Sequence, residues 1–286
     1  MPPPTGQSVL NIELKTISPA GRLLVGTSGY AYLEWIEAGF YPPGTPSGKM
    51  LPLYARQFSI TELNYTWYQM PRAEAVERQR QMAPPGFRFT AKLTRSLTHD
   101  IDSKLWPRQA LAYREGVAPL VQAGQLTAVL IQFPPSFHRT PENRRHLAAL
   151  LDMLRGLPLA VEFRHRSWVT GRVFAELERR RVTLVCVDEP ALPGLFPALD
   201  VVTNPELFYV RFHGRNAKGW RSGNKQVQFD YRYSEDELNR WVDERIGPMT
   251  EKARRGVIFF NNHVRAQAAD NARTLIRLLQ KRGFET

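Results

Sequence analysis

Short runs of apolar, β-branched and aromatic residues recur along the chain, most of them apolar at consecutive positions. They are RLLVGT (22–27), SITELN (59–64), FRFTAK (87–92), AVLIQF (128–133), LAVEF (159–163), TLVCVD (183–188), FYVRFH (208–213) and VIFFNN (257–262). A strand covered on both faces carries this pattern, whereas a half-exposed strand alternates. Between the runs, apolar residues fall at three- and four-residue spacing and predict helices. These stretches are MLPLYARQF, AEAVERQRQM, QALAYREGVAPLVQAG, PENRRHLAALLDMLRG, RVFAELERRR, SEDELNRWVDERI and QAADNARTLIRLLQKRG. Pro141 suits a first helical turn, and Gly156 and Gly283 suit helix ends. Only EPALPGLFPALDVVTNPE (189–206) departs from the rhythm, and its prolines predict short turns.

Eight strands with seven helices predict an α/β protein, a single (β/α)8 TIM barrel over residues 22–286. A doubly wound sheet is the competing arrangement, but GxGxxG is absent and eight regular units favour closure. The repeat is one of pattern only. Residues 1–21 begin with a proline run and lack periodicity, which reads as a flexible, disordered N-terminal tail.

Composition sharpens the picture of partners. Of the 286 residues 43% are apolar, enough for a proper core. Lys plus Arg is 39 against 27 for Asp plus Glu, a formal net charge of +12. That excess favours nucleic acid or a phosphorylated small molecule as ligand. The one cysteine, Cys186, excludes an internal disulfide and a cysteine-rich zinc site. Its apolar neighbours make it a small core residue. There is no signal-peptide pattern and no apolar stretch of about 20 residues, so a cytoplasmic protein without a membrane partner is expected.

In such barrels the active site lies at the C-terminal mouth of the strands. The polar residues there are Ser28 and Tyr30, Glu62 and Asn64, Lys92 with His99 beyond it, and Gln132. Glu162, Arg164, Asp188, Arg211, His213, Asn261 and Asn262 follow. Glu62 and Asn64 are two apart and share a strand face; so do Glu162 and Arg164, and Arg211 and His213. Glu62 and Glu162 are natural counter-charges for Arg211. The long segment GRNAKGWRSGNKQVQFDYRY (214–233) interleaves Arg215, Lys218 and Arg221 with Trp220 and other rings. Cations with stacking rings suit single-stranded nucleic acid or a phosphate, and an ordinary solvated loop is the plain alternative.

The stretches GTSGYAYLEW, FYP, ELNYTWY, FTAKLTRSLTH, LIQFPPSF, AVEFRHRSW, VRFHGR and FNN, in that order, resemble successive motifs of the YecE-like proteins, domain-of-unknown-function family 72. The resemblance runs from about residue 23 to 281. It implies a (β/α)8 barrel, related in shape to barrels of the xylose isomerase and endonuclease IV kind, and no established reaction. The family's motif positions fall on Ser28, Tyr30, Glu62, Asn64, Lys92, His99, Gln132, Glu162, Arg164, Trp168, Asp188, Arg211, His213, Arg215 and Asn262. Trp67 stands where the family pattern has phenylalanine.

Two chemistries are consistent with this set. In the first, Glu62, Glu162 and Asp188 join histidines to hold a divalent ion such as Mg²⁺ or Mn²⁺; no HExxH spacing supports it, and Lys92, Arg164 and Arg211 crowd the same mouth. In the second, His213 is the general acid or base, oriented by Glu162 or Glu62, while Lys92, Arg164 and Arg211 hold a phosphate. The leading expectation is a nuclease-like phosphodiesterase, a hydrolase acting on nucleic acid. The alternatives are a small-molecule isomerase, lyase or hydrolase and a non-catalytic nucleic-acid binder.

Overall fold

A computed structural model describes residues 22–286; the N-terminal tail expected over 1–21 lies outside the described residues. The strands are β1 (Arg22–Ser28), β2 (Ile60–Leu63), β3 (Arg88–Lys92), β4 (Leu126–Gln132), β5 (Leu159–Glu162), β6 (Thr183–Asp188), β7 (Phe208–Phe212) and β8 (Arg255–Phe260). They pair in parallel and in chain order, and β8 returns to β1 with Leu24 opposite Val257. The TIM barrel expected from the hydrophobic pattern is therefore present.

Seven helices stand outside it where the spacing predicted them. They are α1 (Ser47–Tyr54), α2 (Ala73–Gln81), α3 (Trp106–Gln122), α4 (Pro141–Met153), α5 (Gly171–Arg180), α6 (Glu235–Trp241) and α7 (Gln267–Lys281). Their starts are specified locally. Thr140 Oγ1 accepts from the Asn143 amide at 3.2 Å ahead of Pro141. Ser234 and Glu237 cap each other reciprocally at the start of α6. Each helix buries an apolar stripe against the barrel, for example Val117, Leu150, Leu177 and Leu275. The 189–206 connection carries no helix. Among the described residues no helix is long and apolar enough to cross a membrane.

Alternation along the strands decides what enters the barrel. On β7, Tyr209 and Arg211 point inward, as does His213 just beyond; the Tyr209 ring lies 5.2 Å from that of Phe259 on β8. Inward alternation on β6 passes through Val185 and Val187 to Glu189, so Asp188 faces outward. There it accepts from Arg215 Nε at 2.8 Å, from the Tyr233 hydroxyl at 2.9 Å and from the Trp241 indole N–H. Asn262 also faces outward, donating to the Tyr231 carbonyl at 2.7 Å and to Asn271 Oδ1 of α7 at 2.9 Å. Both had been expected at the mouth; these strands are apolar on both faces, so composition alone does not reveal their phase.

Strands β1 and β2 approach so closely at Gly26 that a Cβ there would stand 2.2 Å from the Ile60 carbonyl oxygen. Gly26→Ala should cost about 1–3 kcal/mol or more in urea unfolding, because backbone has to move. Gly48→Ala, whose Cβ would meet nothing within 4 Å, should be neutral to slightly stabilising in the same experiment.

Candidate active site

The strand ends open into a cavity of about 1010 Å³ at the mouth of the barrel. Its floor and walls include Glu62, Lys92, Gln132, Arg164 and Arg211, with Asn64, His99, Asn261 and the rings of Tyr30, Tyr32, Trp67 and Phe229. The segment 214–233 turns in over one side. Trp220 and Phe229 are buried and pack with Val264, Leu192 and Leu195. Arg221 Nη2 ties this wall to the 189–206 connection through the Pro193 carbonyl at 3.0 Å. The rings expected as an open stacking platform are thus largely spent on closing the wall.

An ion-pair network underlies the floor. Arg211, from β7, donates through Nη2 to Glu62 Oε1 of β2 at 2.6 Å and through Nη1 to Glu162 Oε2 of β5 at 2.7 Å. It also reaches Ser28 Oγ at 3.2 Å. The Tyr209 hydroxyl donates to the second oxygen of Glu62 at 2.6 Å. Arg164 donates through Nε to the first oxygen of Glu162 and through Nη1 to Glu189 Oε2 at 2.7 Å. Its Nη2 meets His213 Nε2 at 2.9 Å. Glu162 is therefore held between two guanidiniums, which keep its carboxyl well below the usual range against the upward push of burial.

His213 is completely buried and does not line the cavity. Burial and the neighbouring Arg164 charge depress its pKa well below the ordinary value. It is a neutral ring behind Arg164, with Asn261 Nδ2 3.1 Å from Nδ1. The expectation that His213 meets substrate as acid or base is corrected on this geometry: it positions Arg164.

Lys92 is placed differently. It ends β3 and lines the cavity with its Nζ 5.0 Å from the Trp67 ring centre. Among the described residues its amine has neither a carboxylate within ion-pair distance nor a hydrogen bond. Burial, with the charge of Arg211 second, lowers its pKa to about 7. The same burial, and the charge of Lys92, lower His99 to about 4. Glu189, which sequence reasoning missed, moves the opposite way: burial raises its carboxyl to about 7, and its Oε1 is buried without a partner. The two-residue alternation Val185, Val187, Glu189 was the signal that could have found it.

The remaining expected residues divide clearly. Tyr30, Asn64, Gln132, Trp220 and Arg221 reach the cavity, while Ser28 and Glu162 lie beneath its wall. Arg215 is held outside by Asp188 and by Glu237 at 3.0 Å, and Lys218 is exposed away from the cavity. The donor set expected for Mg²⁺ or Mn²⁺ does not assemble. Glu62 and Glu162 are committed to arginines and Asp188 faces out; among the described residues no three His, Cys, Asp or Glu side chains converge to hold an ion.

Comparison with known proteins agrees with the order of the motifs. A family model described as "Protein of unknown function DUF72" matches residues 24–286. UPF0759 protein YunF of Bacillus subtilis is 30% identical over 274 residues, spanning 90% of this chain and 94% of that protein. UPF0759 protein YecE of Escherichia coli K12 is 26% identical over 147 residues, 50% of this chain and 48% of its own. A solved DUF72 protein of Thermotoga maritima superposes with TM-score 0.81 at 33% identity, covering 91% of this chain and 99% of its own. One from Enterococcus faecalis gives 0.81 at 27%, covering 90% and 95%.

Arg211→Met should destabilise the fold by about 3–5 kcal/mol in urea unfolding, since two buried carboxylates lose their partner. Stability should also depend on pH through two groups. The folded pKa of Lys92 lies below its unfolded value, so its contribution to stability rises with pH above about 7, by up to about 1.4 kcal/mol per pH unit. The folded pKa of Glu189 lies above its unfolded value, so its contribution is complete in acid and is lost as pH climbs to about 7. Lys92→Met should remove the alkaline rise in Tm, and Glu189→Gln the acidic fall.

Proposed function

This chain belongs to the DUF72 family, and we propose that it is an enzyme that binds a phosphorylated small molecule in the barrel mouth, with Lys92 as the reactive group. The observation that carries this reading is the position of Lys92: a half-buried amine, without a counter-ion among the described residues, facing the cavity at the barrel mouth. An amine that is substantially unprotonated near neutral pH can take a proton or share its lone pair. The anion-binding charges are different residues. Arg211 and Arg164 are neutralised by Glu62, Glu162 and Glu189. Arg221 and Lys225 line the cavity with no carboxylate partner among the described residues and are free to meet a phosphate.

Cleavage of single-stranded nucleic acid at the same mouth is the second reading. The net charge of +12 favours it, as do the exposed Lys218, Arg221 and Arg232 on the 214–233 wall. The buried rings of that wall and the concave mouth favour the smaller substrate. A non-catalytic nucleic-acid binder would show binding that falls steeply with salt and no turnover.

Calorimetry with ribose 5-phosphate and with an end-labelled single-stranded DNA 12-mer separates the readings. Ribose 5-phosphate should bind, and Arg221→Ala and Lys225→Ala should each weaken it about tenfold with Tm unchanged. Strand cleavage that disappears in Lys92→Met, run with EDTA, Mg²⁺ and Mn²⁺, would transfer the proposal to the nuclease reading. Binding that neither cation affects would overturn the assignment of the wall.

A further inference from the structure

We infer that Lys92 is a nucleophile toward carbonyl compounds: its amine forms a Schiff base with an aldehyde or ketone substrate that carries an anionic group. The inference rests on the reading of the mouth as a site for a phosphorylated small molecule, and it adds the reacting functional group of that substrate.

The first support is the bonding around the amine. The carboxylates that influence Lys92 are Glu62 on β2 and Glu162 on β5. Both oxygens of Glu62 are taken, by Arg211 Nη2 and the Tyr209 hydroxyl, each at 2.6 Å. Both oxygens of Glu162 are taken as well, by Arg164 and by Arg211. The oxygens of the acids nearest the lysine are thus engaged by guanidiniums and by the Tyr209 hydroxyl. Those same guanidiniums, on β5 and β7, oppose a positive charge on Nζ. The other titratable neighbour is His99, which is driven toward its neutral form. A lone pair is therefore available at the cavity floor.

The second support is independent of charge. Asn64 Oδ1 and Trp67 Nε1 are buried, lack any hydrogen-bond partner, and belong to cavity-lining residues on the segment after β2. Buried polar atoms are rarely left unpaired, so an orphaned acceptor and donor on residues that line one cavity point to a ligand that draws these side chains toward it. A substrate with a carbonyl and a neighbouring hydroxyl supplies the complement: the carbonyl oxygen accepts from Trp67 Nε1–H, and the hydroxyl donates to Asn64 Oδ1. The Trp67 ring is also the one that lies against Lys92 Nζ.

The step balances without a co-reactant. The Nζ lone pair forms a C–N bond to the carbonyl carbon, the C=O π pair moves to oxygen, and that oxygen takes one Nζ proton. The C–O bond of this carbinolamine then breaks, the oxygen leaves as water with the second Nζ proton, and C=N forms. Water reverses the sequence and frees the carbonyl compound.

The test is borohydride trapping on the full chain at pH 7, with glycolaldehyde phosphate and glycolaldehyde as probes, followed by peptide mapping. Lys92 should be labelled about tenfold or more faster than the exposed Lys104 and Lys252. Labelling by the phosphorylated probe should fall in Lys225→Ala. Mapping is read on folded protein, and Asn64→Ala, which keeps Lys92, should slow its labelling. Calorimetric binding of the phosphorylated probe with no adduct at Lys92 would overturn the inference and leave the binding site standing. Equal labelling of Lys92 by both probes, with no phosphate binding, would uphold the nucleophile and overturn the anion site. Labelling that does not distinguish Lys92 from surface lysines, with no binding, would overturn both.

Discussion

The guanidinium of Arg211 is enclosed by the barrel, with carboxylates from β2 and β5 against it. A charge so far from water is tolerable only when paired and hydrogen-bonded. That requirement fixes much else. It ties three non-adjacent strands, β2, β5 and β7, to one another, and it draws Arg164 to the remaining oxygen of Glu162. Arg164 in turn recruits Glu189 and makes His213 a neutral acceptor. The residues that look most catalytic by type are therefore the ones most committed to one another.

Lys92 gains its character from what this network consumes. Two carboxylates close enough to influence the amine would, if free, hold it as an ordinary ammonium. Because arginines occupy them, burial and guanidinium repulsion outweigh the pull of Glu62 and Glu162 on Lys92. A structural ion-pair cluster and a reactive amine are in this way two consequences of one arrangement. The same bookkeeping accounts for the charge of the mouth: the deep arginines are neutralised, and the cations left for an anion stand on the wall, at Arg221 and Lys225.

Much of this was legible in the chain, for identifiable reasons. Strands covered on both faces write consecutive apolar residues, and all eight runs correspond to strands. Where a strand carried two polar residues two apart, as in Glu62 and Asn64 or Arg211 and His213, parity placed both inside. Strands β6 and β8 carry apolar residues up to one polar end, so nothing in them sets the phase. Asp188 and Asn262 were then expected where Glu189 and Asn261 belong. The wall 214–233 stayed open between two readings for another reason: composition shows that rings and cations alternate, whereas burial depends on partners such as Leu192, Leu195 and Val264, which are distant in sequence.

Net charge says little about where the chemistry lies. Many cations sit on outer helices, where Arg179 and Arg180 of α5 pair with Glu176 and Asp152, far from the barrel mouth. Surface pairs of this kind are screened and contribute little. What matters for chemistry is the local balance in a few hundred cubic ångströms of low dielectric, where one unmatched amine outweighs a dozen solvated charges. Lys92 meets that condition because Glu62 and Glu162 are already engaged, and any substitution that released either carboxylate from Arg211 would return Lys92 toward an ordinary ammonium.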